Sequence, residues 1–396
     1  MREGWYKARL GEIADIQSGS GFPTKYQGEA GEAIPFYKVS DMNIKGNELA
    51  MIHENNSVTE NVRKTLGAFL FPRGSVIFPK IGGAIATNKK RQTTRDCCVD
   101  NNVMGVIPLP GKIDSYFLYY FLLRHDLSEF ANKAHLPSIK KTVVEDWPIS
   151  LPRAISEQKR IVGILDEAFD GIATAKANAE KNLQNARALF ESHLQSVFTQ
   201  RGNGWVEKKL GEVCAITSSL VDPRKKEFLD LVHVGAGNIE SKNGALVELK
   251  TAREEDLISG KFLFDESTVL YSKIRPYLMK VARPDFSGLC SADMYPLTPL
   301  PNQITRNFLF HLLLSKRFTE YAIQGSARAG MPKVNRGHLF EFRVWLPSVK
   351  MQNELAAKLD ALSAETQRLE SIYQQKLAAL EALKKSLLHQ AFSGQL

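Results

Sequence analysis

Basic side chains at the ends of β-like runs are the groups in this sequence best suited to chemistry with a polyanion. Ser75-Val76-Ile77-Phe78-x-Lys80-Ile81 leads into Gly82-Gly83 and then Lys89-Lys90-Arg91. Thr268-Val269-Leu270-Tyr271-x-Lys273-Ile274 leads into Arg275, Tyr277 and Lys280. Lys140-Lys141 follows Pro137, and Lys333 with Arg336 follows Pro332. Lysines hold phosphates, whereas arginine pairs with guanine through two hydrogen bonds, at ~1–3 kcal/mol of discrimination. The glycines allow close approach of a backbone. Arg224-Lys225-Lys226 is a further basic run, without a counterpart in the first half. The balance of 52 Lys and Arg against 43 Asp and Glu, net +9, agrees with a polyanionic partner.

Other chemistries lack their residues. No Asn/Asp-Pro-Pro-aromatic run is present to hold a flipped adenine, and no G-x-x-x-x-G-K-[ST] loop to cradle a nucleotide. Val234-Gly235-Ala236-Gly237-Asn238 resembles a cofactor turn, but its counterpart Val39-Ser40-Asp41-Met42-Asn43 has no glycine, which argues for a structural turn. Glu248-Leu249-Lys250 has the spacing of some nucleases without a Pro-Asp nearby. The eight histidines are scattered, and Cys97, Cys98, Cys214 and Cys290 form no C-x-x-C pair. Neither a zinc site nor a disulfide framework is expected, nor any metal. With no apolar run of membrane-spanning length and no signal-like start, the expectation is a reduced, cytoplasmic protein without membrane contact.

Two long helices must position these groups. Over 349–391 an a/d seam reads Leu355, Leu359, Leu362, Thr366, Leu369, Tyr373, Lys376, Leu380, Leu383 and Leu387. At ~1.5 Å per residue that helix is roughly 65 Å long. Over 156–199 a partner seam reads Ile161, Leu165, Ala168, Ile172, Ala175 and Ala179. It then slips by one residue to Leu183, Ala186, Phe190, Leu194 and Val197.

The chain is also a repeat with a period of roughly 195 residues. Trp5-x-x-x-x-Leu10-Gly11-Glu12 returns as Trp205-x-x-x-x-Leu210-Gly211-Glu212. Tyr116-Phe117-Leu118-Tyr119 returns as Asn307-Phe308-Leu309-Phe310, Leu151-Pro152 as Leu346-Pro347, and Leu165-Asp166 as Leu359-Asp360. Leu194 and Phe198 return as Leu388 and Phe392. The predicted organisation is a globule at 1–152, a helix at 153–200, a second globule at 201–347 and a last helix at 348–396. Each globule reads as α+β. Strands are predicted at 36–39, 76–81, 103–107, 231–234, 269–274 and 342–346, helices at 115–130 and 306–321, and the sheet is expected to be bent and partly barrelled. Two like globules on two antiparallel helices give an approximate two-fold axis, which suits two DNA half-sites.

The order and duplication of these stretches resemble the specificity subunits of type I restriction–modification systems. The resemblance rests on 5–16 and 205–216, on Leu151-Pro-x-x-x-x-Glu157-Gln158-Lys159-Arg160-Ile161 and Leu346-Pro-x-x-x-x-Gln352, and on Leu388-x-x-Ala391-Phe392-Ser393-Gly394. It covers the whole chain. It implies two target-recognition domains, each reading half of a split sequence in double-stranded DNA. It further implies helices that set the gap and dock two modification (methyltransferase) subunits and the restriction subunits. S-adenosylmethionine and ATP with Mg are then expected on those partners, with no cofactor and no catalytic site on this chain. The alternatives are a stand-alone duplicated DNA-binding protein and a coiled-coil scaffold between proteins.

Overall fold

The computed structural model of the protein describes residues 4–326 and 332–396. The chain forms two compact units, Met1–Asn178 with Lys376–Leu396, and Ala179–Gln375. Each long helix therefore contributes a segment to each unit.

In the first unit, Trp5–Arg9 pairs antiparallel with Pro148–Pro152, Trp5 opposite Pro152. The globule thus closes where it opened, and the central helix, Ile155–Thr199, starts beside that ribbon. The main sheet runs in the order Ala14–Ser18, Val103–Pro108, Val76–Pro79, Arg91–Thr93, Ala50–Met51. Alternation along Val76–Pro79 explains its place at the centre. Val76 and Phe78 face the core shared with helix Ser115–Arg124, while Ile77 faces a second core with Tyr37, Phe71 and Cys97. A separate sheet orders Ser57–Val58, Ile34–Tyr37 and Cys98–Val99, with Phe36 parallel to Cys98. The strands thus divide between two sheets and a ribbon, a topology the sequence pattern does not specify.

The second unit repeats this plan. Val206–Lys209 pairs with Arg343–Leu346, and the main sheet is Cys214–Ala215, Met294–Pro299, Val269–Ser272, Val281–Ala282. Its second sheet has five strands, with His233 parallel to Leu289. The predicted helix at 306–321 is two helices, Arg306–Leu314 and Lys316–Gln324. Ser315 sits between them in extended conformation, donating to Leu312 O at 2.7 Å and accepting the Phe318 N–H at 3.3 Å. One hydroxyl thus ends one helix and caps the next. In the first unit the helix likewise stops at Arg124, and Asp126 caps a short turn at Leu127–Phe130.

The last helix is Val349–Ser393, and within each unit it runs antiparallel to the central helix. In the first unit Arg160 Nη2 donates to Leu396 O at 3.1 Å, and Lys176 pairs with Glu381 at 2.9 Å. Ile161 and Leu165 share a core with Leu388, Ala391 and Phe392. The Phe392 ring lies 4.9 Å from Phe117 and 5.6 Å from Phe121. In the second unit Leu194, Phe198 and Leu359 join Leu210 and Phe308, and Arg187 pairs with Glu370 at 2.8 Å. Along the expected seams Ile161, Leu165, Ile172, Leu194 and Leu359 are buried, while Leu183, Leu355, Leu362, Leu369, Leu380 and Leu387 are half-buried. Lys376 and Leu383 depart from the expected seam, both being exposed. Past Tyr373 the stripe runs through Leu377, Leu380, Lys384, Leu387 and Leu388, with Leu377 and Lys384 in place of Lys376 and Leu383. A straight helix of 3.6 residues per turn drifts from a strict heptad, and here the stripe follows the helix. Lys384 lays its ammonium 5.0 Å from the Phe169 ring centre, so its stem covers apolar surface.

Candidate nucleic-acid interface

In each unit two backbone segments are stitched together around the repeated lysine. Ile139 N donates to Lys80 O at 2.9 Å, and Gly82 N to Pro137 O at 2.8 Å. In the second unit Val334 N donates to Lys273 O at 2.9 Å, and Arg275 N to Pro332 O at 2.9 Å. These bonds make the isolated bridges of Ile81 with Ser138 and Ile274 with Lys333. The clip brings Lys80 and Gly82 to the chain that carries Lys140 and Lys141. Its counterpart brings Lys273, Arg275 and Tyr277 to the chain that carries Lys333 and Arg336.

The clip requires a left-handed residue just beyond its lysine. Gly82 has φ +71°, which glycine adopts freely. The equivalent position holds Arg275 at φ +49°, an unfavourable conformation for an L side chain. Arg275 is exposed, as is Tyr277 beside it.

Lys80 and Lys273 are half-buried stems with polar tips. Lys80 Nζ donates to Ser18 Oγ at 2.9 Å, and its pKa is lowered by burial, opposed by Asp100. Lys273 Nζ donates to Ala292 O and lies 3.6 Å from Asp293; burial and then Lys333 lower its pKa, against Asp293. Each lysine thus has an acidic neighbour, but from different positions, since Lys80 N donates to Asn102 O where Lys273 N donates to Asp293 O.

The basic triplet after Lys80 does not act as a block. Lys90 is a correction to the expected phosphate contacts, because its side chain is 1% exposed. Its Nζ donates to His125 O at 2.5 Å and Asn88 Oδ1 at 2.6 Å, and burial pushes its pKa down to about 8. Arg91 is half-buried and donates to Lys90 O at 2.9 Å, its pKa also lowered by burial. Lys89 reaches Asn43 Oδ1. Strand register makes Lys89 the counterpart of Lys280, since Arg91 opposes Ile77 and Ala282 opposes Leu270. Lys280 Nζ donates to Ala236 O at 2.6 Å. Both lysines therefore pin the same turn, Val39–Asn43 in one unit and Ala236–Asn238 in the other. That turn is held by its own side chains. Gly235 N donates to Asn238 Oδ1 at 2.9 Å, and Lys38 N to Asp41 Oδ2 at 2.6 Å.

Lys140 and Lys141 are exposed, Lys141 within 3.6 Å of Glu145. Lys333 and Arg336 are exposed, and Arg336 lies 5.5 Å from the Phe340 ring centre.

A second repeated constellation fixes each globule to its helices; its glutamines, Gln158 and Gln352, stand in the stretches that carry the resemblance, but their role was not read from the sequence. Gln158 is fully buried; its Oε1 accepts the Asp114 N–H at 2.8 Å, and its Nε2 donates to Pro152 O at 2.9 Å and Lys112 O at 3.3 Å. Gln352, also fully buried, accepts from Thr305 N at 2.8 Å and donates to Gln303 O at 2.9 Å and Pro347 O at 3.0 Å. Asp114 and Thr305 are themselves the caps of the globule helices. A glutamine at like distance from each Leu-Pro pair was the available signal. One helical turn or two further on, Asp166 accepts from Tyr120 Oη, and Asp360 meets His311 Nε2 at 2.7 Å and Arg283 Nη2 at 2.5 Å. Burial pushes Asp360 up, but the His311 and Arg283 bonds outweigh it and bring its pKa to about 2. Burial lowers the His311 pKa, against the hydrogen bond and charge of Asp360.

A basic clip occurring twice, each on a globule clamped to paired helices, defines a duplicated DNA-recognition scaffold. The chain belongs to the type I restriction modification DNA specificity domain family, whose model matches residues 2–184 and again 202–381. It is a specificity subunit with two target-recognition domains, a recognition component of a type I system and not its catalyst. It is 29% identical to the EcoDI type I restriction enzyme specificity subunit of Escherichia coli, over 72% of this chain and 71% of that one. It is 20% identical to the EcoBI specificity subunit of the same organism, over 100% and 87%. Its fold matches a chain from a structural study of complex assembly and conformational transition in a type I system. The TM-score there is 0.76 at 16% identity, covering 100% and 99%. It also matches the HsdS subunit from Thermoanaerobacter tengcongensis, with TM-score 0.63 at 18% identity, covering 100% and 98%. Among the described residues, no helix is long and apolar enough to cross a membrane.

Proposed function

We propose that each globule reads one half of a bipartite target in double-stranded DNA, through the clip at Lys80–Ile139 in the first unit and Lys273–Val334 in the second. In this reading Lys80, Lys140 and Lys141 hold phosphates on one side. Lys273, Lys333 and Arg336 do so on the other. Gly82-Gly83 admits a close backbone, and Arg275 with Tyr277 faces bases. Lys89, Arg91 and Lys280 act through the turns they pin or half-cover, and Lys90 supports the fold. The two long helices set the gap between half-sites and dock two methyltransferase subunits and the restriction subunits. S-adenosylmethionine chemistry on a flipped adenine, and ATP with Mg, belong to those partners.

The observation that carries this reading is the left-handed Arg275. Its unit keeps an arginine where the other uses glycine, so the two clips present different chemistry and suit different half-sites. The test is methylation of synthetic targets by the assembled methyltransferase carrying Arg275→Gly. The reading expects relaxed or lost recognition of one half-site with the other intact. Unchanged recognition of both halves would remove Arg275 from the readers.

A further inference from the structure

Strand register exposes an unmatched position on the face of each globule that meets the central or last helix. Gln92 lies opposite Val76, and the equivalent residue of the second unit, one beyond Ala282 on the strand that opposes Leu270, is Arg283. Arg283 occupies its site half-buried. Its guanidinium carbon lies 4.5 Å from the Phe310 ring centre, and its two terminal nitrogens meet the Asp360 carboxylate at 2.5 and 3.1 Å. Arg306 closes the same region, donating to Pro284 O at 2.5 Å and Thr268 O at 3.3 Å.

The first unit keeps the receptor groups and lacks both arginines. Tyr119 stands for Phe310, Tyr120 for His311 and Asp166 for Asp360, while Gln92 replaces Arg283 and Ser115 replaces Arg306. A cleft of about 420 Å³ is left, lined by Gln92, Ser115, Tyr119, Tyr120 and Asp166. Gln92 is 7% exposed; its unpartnered Nε2 is a donor that a guanidinium does not satisfy, so the acceptors offered to an arginine are the Asp166 carboxylate and the tyrosine ring faces. Asp166 receives Tyr120 at Oδ1. Leu49 and Tyr116, 65% and 52% exposed, form an apolar rim to the same cleft, and Arg73 also borders it. Arg73 repels any cation, a guanidinium included, and an arginine carried on a protein offsets that repulsion by also covering the exposed rim.

We propose that this cleft is a socket for a guanidinium supplied by an arginine side chain of a partner protein, in the place that Arg283 fills from within the chain in the second unit. The proposal does not depend on what the clips read, since neither clip residue lines the cleft.

The test uses the full chain with ¹³C-labelled tyrosine, titrated with Nα-acetyl-arginine methylamide and followed by NMR. The expected result is saturable shifts of the Tyr119 and Tyr120 ring signals. The matching lysine derivative should bind at least about tenfold more weakly, for want of a planar two-pronged donor. Gln92→Arg should abolish the titration and raise the melting temperature, since it installs the residue the second unit already has. Gln92→Leu should leave the arginine preference in place. Equal response to the two derivatives, or no response in the unaltered chain, overturns the socket. Free L-arginine binding about tenfold more tightly than the blocked derivative assigns the site to the free amino acid and overturns a protein source.

Discussion

Replacing Gln158 by leucine should weaken the first unit far more than a surface substitution would. The side chain is fully buried and satisfies three backbone groups: the Asp114 N–H and the carbonyls of Lys112 and Pro152. Leucine fills a similar volume but leaves all three without that partner. An unmet buried polar group costs ~1–3 kcal/mol. The two carbonyls can recruit water more readily than the N–H at the helix cap, so the sum is roughly 2–5 kcal/mol. For a unit of this size each kcal/mol lowers the melting temperature by about 2–4 °C, so a drop of roughly 4–20 °C follows. Urea denaturation should show the midpoint falling at constant m-value. Gln352→Leu should do the same in the second unit, through Thr305 N and the carbonyls of Gln303 and Pro347. A loss below about 0.5 kcal/mol for both variants would refute the clamp, because that is what an exposed polar side chain gives.

Four further outcomes follow. Lys80→Ala or Lys273→Ala should each reduce the slope of log affinity against log salt by about one, whereas Lys90→Met should leave that slope unchanged; fluorescence titrations on target duplex at several salt concentrations measure both. Arg275→Gly should raise stability by up to about 1 kcal/mol in urea titration while DNA affinity falls, because glycine relieves the positive φ. Stability should decline with acid through Asp360. Its folded pKa of about 2 lies below the unfolded 3.8, so its contribution is complete above pH 3.8 and disappears as pH falls toward 2. Asp360→Asn should flatten the urea midpoint between pH 4 and 2. Exchanging one globule for that of another specificity subunit should change one half of the methylated motif and preserve the other.

The repeat was legible because both copies keep apolar residues at matched strand and helix positions, as Val76-Ile77-Phe78 and Val269-Leu270-Tyr271 show. The lysine at the end of each run was legible for the same reason. The burial of Lys90 was not, since a basic triplet reads as solvated and only the fold brings the His125 carbonyl to its ammonium. Nor was the equivalence of Lys89 and Lys280, which appears only in the strand register. Division into two sheets depends on long-range pairings such as Phe36 with Cys98, which alternation does not specify. The break at Ser315 had a sign, a serine three residues before Phe318, but the surrounding apolar run masked it. The seam was readable in the central helix. In the last helix it was misplaced at Lys376 and Leu383, whereas Leu380 and Leu387 are half-buried and Lys384 and Leu388 join them.

The central claim is that this chain alone chooses a two-part DNA target through two separate readers. The most direct measurement is methylation sequencing of a host carrying this chain with its modification subunit, against the same host without the chain. The account predicts a split motif, methylated at adenine in both halves and absent without the chain, with Lys273→Ala or Arg275→Gly disturbing only one half. A continuous motif, or methylation that persists unchanged without the chain, would contradict it.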